Sequence, residues 1–275
     1  MAAQKIMING LPGNVAKMLV SNVLSDDRFE LVEYSLTGPE ITDDVCITAG
    51  CTIALLTPEK RDTAIKEIRQ AAGNFISIDF THPAAVNENA SFYCTHALPF
   101  VMGTTGGDRE ALLQTVASSS ISAVIAPNMA KQIVGFQAMM AYAAENFPGL
   151  FSGYSLHIKE SHQAAKADTS GTAKAMVEYF NRLGVDFKES DIVKIRNPEE
   201  QKSMGVPQAH LNGHGWHTYT LVSPDKNATF QFVHNINGRD IYAQGTFDAV
   251  LFLSEKIRRG ETGRAYSMID VLKGA

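Results

Sequence analysis

Residues 5–17 read Lys5-Ile6-Met7-Ile8-Asn9-Gly10-Leu11-Pro12-Gly13-Asn14-Val15-Ala16-Lys17, and the order of residue types in this stretch decides the fold. An apolar, strand-like run passes through a glycine turn into a segment of helical period that continues to Leu24. The spacing G-x-x-G-x-x-A puts two glycines and a small residue where phosphate oxygens can approach backbone N–H groups at a helix N-terminus. It departs from the commoner G-x-G-x-x-G, and any strand-to-helix turn can use glycine, so the surrounding pattern has to decide.

Outward from this turn, apolar β-rich runs alternate with helical segments up to about Ala130, the pattern of repeated βαβ units on a parallel sheet. The strands read as Lys5–Asn9, Phe29–Leu36, Thr52–Thr57, Phe75–Asp79, Phe100–Gly103 and Ala123–Ala126, and the helices as Val15–Leu24, Glu59–Ala72, Pro83–Thr95 and Asp108–Ala117. Pro58 and Pro83 suit helix starts, and Gly73 a helix end. This is a dinucleotide-binding pattern of the Rossmann kind. The second strand should end beside the adenine ribose, and its tip, Ser35-Leu36-Thr37, carries no acidic side chain for a 2′-hydroxyl. NADPH is therefore favoured. No arginine stands there for a 2′-phosphate and Glu33 is close by, which leaves NADH open. Lys17 is either the positive partner of a phosphate or a solvated helix lysine. Two more loops follow strand C-termini, Asp79-Phe80-Thr81-His82-Pro83 and Gly103-Thr104-Thr105-Gly106-Gly107, where open α/β sheets bind ligands.

After Lys131 the pattern changes to a long helix through Phe147, a strand around Tyr154–Glu160, a helix over Gly171–Leu183, and then mostly strands. Trp216–Ser223 and Thr229–Asn235 flank Pro224-Asp225-Lys226-Asn227, which reads as an antiparallel hairpin. A last helix over Thr246–Arg258 is apolar on one face. The fold class is thus α/β: a Rossmann-like domain, residues 1–130 with 246–275, and an inserted α+β substrate-binding and oligomerisation domain, residues 131–245, on a mixed or antiparallel sheet.

The chain has 275 residues, 45% hydrophobic and 19% charged, enough to bury a core without disulfides or metals. Its net charge of -5 offers no global positive field for nucleic acid or an anionic membrane, so an anionic ligand has to be captured locally. Three cysteines, Cys46, Cys51 and Cys94, form no CxxC pair and read as reduced thiols in a cytosol-like compartment. No leader pattern precedes the first strand and no run approaches the roughly 20 apolar residues of a membrane span. The expectation is a soluble protein.

Chemistry concentrates in Lys159-Glu160-Ser161-His162-Gln163-Ala164-Ala165-Lys166-Ala167-Asp168-Thr169-Ser170-Gly171-Thr172-Ala173, which leaves a strand and enters a helix. Hydroxyls and free N–H groups at Ser170, Gly171 and Thr172 suit a carboxylate, Lys166 adds positive charge, and His162 can move a proton near neutral pH. The plainer reading has Thr169 or Ser170 capping the helix, with His162 and Lys166 as ordinary polar side chains. One hydroxyl is enough for a cap, however, and capping requires neither the histidine nor the lysine.

With Gly10–Lys17, Asp79–Pro83, Gly103–Gly106, Ala126-Pro127-Asn128-Met129 and Glu160–Ala173 together, nearly the whole chain resembles the 4-hydroxy-tetrahydrodipicolinate (dihydrodipicolinate) reductases, in their plant-type form. The resemblance implies hydride transfer from NADPH, or NADH, to C4 of a cyclic imine dicarboxylate, loss of its hydroxyl as water and protonation of the enamine. It implies His162 as general acid and Lys166 as substrate binder or proton donor, with Ser170, Gly171 and Thr172 on a carboxylate. Gln163 replaces the second histidine of the bacterial pattern and is counted among the substrate contacts. The cofactor set it implies is Gly10, Leu11, Pro12, Gly13, Asn14, Val15 and Lys17 at the pyrophosphate, Ser35 and Thr37 near the ribose, and Asp79, Phe80, Thr81, Gly103, Thr104, Thr105, Ala126, Pro127, Asn128 and Met129 towards the nicotinamide. Asn14 stands where family members carry arginine or lysine. The resemblance also implies a homotetramer built through second-domain sheets, in a bacterial cytoplasm or, without a transit peptide, a plastid stroma.

His210, His214 and His217 fall within eight residues, but Gly213 and Gly215 preclude a helical i, i+4 presentation, so no metal is expected. Two other readings compete: an aldehyde-forming split-domain dehydrogenase, which needs a nucleophilic cysteine in its cleft, and a nicotinamide-sensing binding protein without turnover. Cys94 falls inside a helix of the first domain, and the retained His162 and Lys166 speak against loss of turnover.

Overall fold

The computed structural model describes residues 3–274 and divides into two compact units, Met1–Lys131 with Tyr242–Ala275, and Gln132–Ile241. In the first, β1 (Gln4–Asn9) leads through Gly10–Gly13 into α1 (Asn14–Val23), whose buried Ala16, Leu19, Val20 and Val23 form one apolar face. The segment expected as one strand from Phe29 to Leu36 is two. β2 (Phe29–Leu31) pairs with β1, whereas β3 (Tyr34–Leu36) joins a separate three-stranded sheet with β4 (Val45–Thr48) and β5 (Cys51–Leu56). The break is at Val32 and Glu33, where the Tyr34 N–H turns back to the Val32 carbonyl at 2.7 Å. β4 has no counterpart in the sequence reading. It forms a hairpin with β5 through Ala49 and Gly50, both at positive φ, as a tight two-residue turn requires.

The chain then runs through α2 (Pro58–Ala72), β6 (Ile76–Asp79), a 3-10 turn at Pro83–Ala85 and α3 (Val86–Thr95), and continues through β7 (Phe100–Met102), α4 (Arg109–Ala117) and β8 (Ala123–Ile125). After the second unit it returns with α8 (Asp240–Arg258), β13 (Ala265–Tyr266) and α9 (Met268–Lys273). The main sheet is all parallel in the order β13-β8-β7-β6-β1-β2. Its middle strands are buried on both faces, so they read as continuous apolar runs. α8 starts six residues before the expected Thr246. Its N-terminal part includes Gly245, and a Cβ there would lie 1.7 Å from the Met129 carbonyl oxygen.

The second unit comprises α5 (Lys131–Asn146), β9 (Ser155–His162), α6 (Gly171–Arg182), β10 (Val193–Ile195), α7 (Pro198–Ser203), β11 (His214–Val222) and β12 (Thr229–Asn237). Its four-stranded sheet is mixed, in the order β10-β9-β11-β12, parallel between β10 and β9 and antiparallel elsewhere. The hairpin of β11 and β12 pairs Val222 with Thr229 and His214 with Asn237. α6 buries Ala173, Met176, Val177 and Phe180 in a core shared with Ile158, Tyr219 and Leu221 of the sheet.

Replacing a helix-interior glycine by alanine ordinarily stabilises by up to about 1 kcal/mol. Gly245→Ala is expected to do the reverse, costing about 1–3 kcal/mol through overpacking against Met129. A lowered urea midpoint checks this; an unchanged or raised one contradicts it.

Candidate active site

In the first unit the C-terminal ends of β1, β6 and β7 carry a polar cluster around Asp79, which is fully buried. Its carboxylate accepts from the Tyr93 hydroxyl at 2.7 Å, Asn89 Nδ2 at 3.1 Å, the Thr81 hydroxyl at 2.8 Å, the Thr81 N–H at 3.2 Å and the Thr104 hydroxyl at 2.6 Å. Burial, with the Asp79 carboxylate beside it, holds the Tyr93 phenol well above its ordinary pKa. Asn9 extends the cluster, donating to Tyr93 at 3.0 Å and accepting from the Leu36 N–H at 2.8 Å.

These contacts pin the loops read from the sequence as cofactor contacts. Gly10, at φ 106°, lies so close to the next strand that a Cβ would sit 2.1 Å from the Phe80 carbonyl oxygen, and a Cβ on Gly103 would meet the Phe80 ring at 2.3 Å. Gly13 is the N-cap of α1 and donates to the Gly10 carbonyl at 2.9 Å. The first return bond of the helix comes from Lys17 N–H, so the N–H groups of Asn14, Val15 and Ala16 are those a helix cannot satisfy internally. Pro12 follows a cis peptide bond.

Ser35 and Thr37 are buried beneath this turn. Ser35 accepts from the Leu11 N–H at 3.2 Å, and Thr37 donates to the Leu11 carbonyl at 2.8 Å. Both hydroxyls therefore shape the turn. The Asp79 and Thr104 side chains act in the same way, whereas Thr105 is exposed. Ala126 and Met129 are buried, Pro127 is exposed, and Asn128 accepts from the Ala130 N–H at 2.9 Å. A cavity of about 1240 Å³ opens at the opposite edge of the sheet, beside Lys5 and Ile76, where the strands begin. Ligands of open α/β sheets bind at the other edge, which the glycine turn occupies. Cys94 lies on α3 and burial raises its thiol pKa, a poor setting for a nucleophile.

In the second unit Glu160 is fully buried near the end of β9. Its carboxylate accepts from Arg196 Nη2 at 2.5 Å and from the Ser170 N–H at 3.0 Å. Arg196 also donates to the carbonyls of Lys166 at 2.7 Å, Asp168 at 3.2 Å and Glu160 itself at 3.3 Å, so one guanidinium fastens the whole 163–170 loop. The sequence reading named neither residue as a site. The signal was a glutamate at an inward-facing strand position, which requires a buried cation or donors.

His162 Nδ1 lies 3.1 Å from the His214 carbonyl, and burial lowers its pKa against the opposing pull of Glu160. Lys166 is close enough for its charge to reinforce that lowering, while its ammonium pairs with Asp168 at 2.8 Å. Gln163 is half-buried and its carbonyl accepts from the Lys166 N–H at 2.9 Å. Ser170 is the N-cap of α6 but makes no side-chain cap bond, Gly171 is exposed with open space around it, and Thr172 is half-buried. The three close histidines do not converge. His214 is held by Ser161 at 2.7 Å and the His210 carbonyl at 3.0 Å, while His217, on the other face, stacks on His234 at 4.6 Å.

Residues 4–129 match the model of the dihydrodipicolinate reductase N-terminus and residues 133–272 that of its C-terminus. The chain belongs to the dihydrodipicolinate reductase family. A relative from Arabidopsis thaliana, named 4-hydroxy-tetrahydrodipicolinate reductase 2, chloroplastic, is 45% identical over 98% of this chain and 77% of its own length. A bacterial reductase from Janthinobacterium sp. (strain Marseille) is 26% identical over 98% and 97%. Among solved structures, a dipicolinate-bound dihydrodipicolinate reductase from Paenisporosarcina sp. TG-14 superposes with a TM-score of 0.67 at 19% identity, covering 96% of this chain and 97% of that one. The α/β fold with a parallel, Rossmann-like sheet and a second mixed sheet is thus that of the reductases.

Arg196→Met leaves the Glu160 carboxylate buried without its cation, so it is expected to cost about 3 kcal/mol of stability. Glu160→Gln leaves the guanidinium without its anion. In urea unfolding, the double variant should lose clearly less than the sum of the two singles; strict additivity would show that the pair is not coupled.

Proposed function

We propose that this chain reduces 4-hydroxy-tetrahydrodipicolinate to tetrahydrodipicolinate, the diaminopimelate-route step leading to lysine, using a nicotinamide dinucleotide. The observation that carries the reading is the loop from His162 to Thr172. It joins an imidazole, an ammonium and an uncapped helix start in one segment, in a chain whose two halves both match the reductase family.

The first unit fits the cofactor. Gly10 and Gly13 bring backbone against backbone with no room for a side chain, and the first N–H groups of α1 are available to a pyrophosphate. Gly10, Leu11, Pro12, Gly13, Asn14, Val15 and Lys17 would hold it, with Phe80, Gly103, Thr105 and Asn128 lining the strand ends. When bound, the nicotinamide supplies hydride for C4 of the substrate. NADPH is the preferred form, because Ser35-Leu36-Thr37 at the tip of β3 presents no carboxylate to repel a 2′-phosphate.

In the second unit Ser170, Gly171 and Thr172 hold one substrate carboxylate, aided by Lys166 and Gln163. The dianionic substrate opposes the burial that keeps His162 neutral, so with substrate bound the imidazole can take up a proton. His162 and Lys166 then manage the protons: the ring carbon next to C4 loses one and the departing hydroxide takes one as water leaves, and after hydride transfer one is returned to the enamine carbon, so that one hydride and one proton are consumed overall. The same unit serves assembly into a homotetramer, supported by Val193 and Val233 exposed on its sheet. Cys46, Cys51 and Cys94 are free thiols, which suits a reducing compartment such as a cytoplasm or the plastid stroma suggested by the chloroplastic relatives.

Oxidation of NADPH by the wild-type chain, dependent on substrate made in situ by its synthase, tests the reading, and NADH run in parallel tests the preference. Lys166→Ala is expected to lower kcat/KM by about 10²–10⁴-fold, the range of a general acid contribution. Absence of turnover with either cofactor, or full activity of Lys166→Ala, would overturn the reading.

A further inference from the structure

β9 and β11 run antiparallel with His217 opposite Glu160, and His162 follows Glu160 by two residues on β9. The two-residue period of a strand therefore turns all three side chains to one face. One carboxylate oxygen and one ring nitrogen from each histidine lie within 4.8 Å of one another. Glu160 is 0% and His217 4% exposed. His162 Nε2 and both ring nitrogens of His217 have no hydrogen-bond partner among the described residues. Leaving such groups unsatisfied costs about 1–3 kcal/mol each, so a buried cluster of them calls for a ligand.

The tautomer of His162 is fixed by its neighbour. The His214 carbonyl can only accept, so Nδ1 carries the hydrogen and Nε2 presents a lone pair into the cluster. A backbone carbonyl behind one nitrogen is the usual support of a metal-binding imidazole. Glu160 is supported in the same sense, with Arg196 on one oxygen and the Ser170 N–H on the other.

We propose that Glu160, His162 and His217 bind one divalent transition-metal ion of the zinc type, and that this ion inhibits the enzyme by occupying the His162 nitrogen needed by the substrate. Two imidazoles and a carboxylate favour zinc, cobalt or nickel over magnesium or calcium, which prefer all-oxygen sites. Tetrahedral ligands at zinc stand about 3.4 Å apart, so atoms within 4.8 Å of one another close by at most about 1.4 Å on binding. The fourth position stays open to water. Metal binding stands on this geometry alone; the inhibition rests on the proposed reductase function.

The test uses the full chain stripped with chelator and dialysed. Zinc titrated by calorimetry should bind one ion per chain, and cobalt should develop the intense visible absorption of a four-coordinate site. His217→Asn and, as a second variant, His162→Asn should each weaken zinc binding at least about 100-fold. His210→Asn, which removes a side chain outside the set, should bind as the wild type does. Circular dichroism identifies any variant that fails to fold, and the other ligand variant then decides. Absence of a stoichiometric site in the wild type, as when water satisfies these nitrogens, overturns the proposal, as does unchanged binding in a folded ligand variant. In the reductase assay zinc should inhibit the wild type in competition with substrate. A chain that binds zinc yet turns over nothing would sink the reductase reading and leave the metal site standing.

Discussion

A carboxylate without access to water has to be surrounded by donors, and each unit is organised around one. Asp79 draws Thr81, Asn89, Tyr93 and Thr104 onto two oxygens, and Glu160 draws Arg196 and the Ser170 N–H. Each buried charge would be prohibitive if left alone, which ties the loops that supply its partners to the sheet beneath them. Arg196 shows the economy of the arrangement, since a single planar fork reaches a side chain and four carbonyls. Ser170, the N-cap of α6, is held through Glu160 by a residue that follows it by 26 positions in the sequence.

The same constraint explains why the hydroxyls around the glycine turn have to be read with care. Ser35 and Thr37 occupy the tip of a strand where ligand contacts are expected, yet both bond to Leu11. They hold the turn that leads into α1, whose first N–H groups have no partner within the helix. Gly10 and Gly103 complete it from the other side, because the Phe80 backbone and ring occupy the space any Cβ would take. At the start of α6 the logic is inverted. Ser170 is held through its backbone, its N–H donating to Glu160 and its carbonyl accepting from the Lys174 N–H, and its hydroxyl makes no cap bond.

Much of this was legible in the residues. The alternation of apolar runs with helical period gave the parallel sheet, because strands buried on both faces are apolar throughout, and Pro224–Asn227 marked the hairpin. The split of Phe29–Leu36 was not legible, since Val32 and Glu33 are ordinary strand residues and only pairing with β5 redirects the chain. β4 was missed for a related reason: its outward side chains are exposed, and its turn uses Ala49 at positive φ, a residue that gives no warning. Within the site, His162, Lys166 and the Ser-Gly-Thr turn are contiguous and so stood out. Arg196 and His217 join them only through strand pairing, which composition does not encode.

The pairing of β11 with its other neighbour, β12, is set at a distance. β11 and β12 meet in a register fixed by their turn, where the Ser223 N–H donates to the Ala228 carbonyl at 2.9 Å and Asp225 accepts from the Ser223 hydroxyl at 2.5 Å and the Asn227 N–H at 3.1 Å. From that turn outward, Tyr219 faces Phe232, His217 faces His234, and on the other side His217 faces Glu160. A slip of one residue would carry His234 to the opposite face of the sheet and leave His217 against a different neighbour. Desolvation holds His234 down to about 4, so this row is a line of neutral imidazoles ending on a buried carboxylate. A solvent-exposed hairpin turn thus determines that His234 stands against His217, two strands from His162, through nothing more than the two-residue period of the strands.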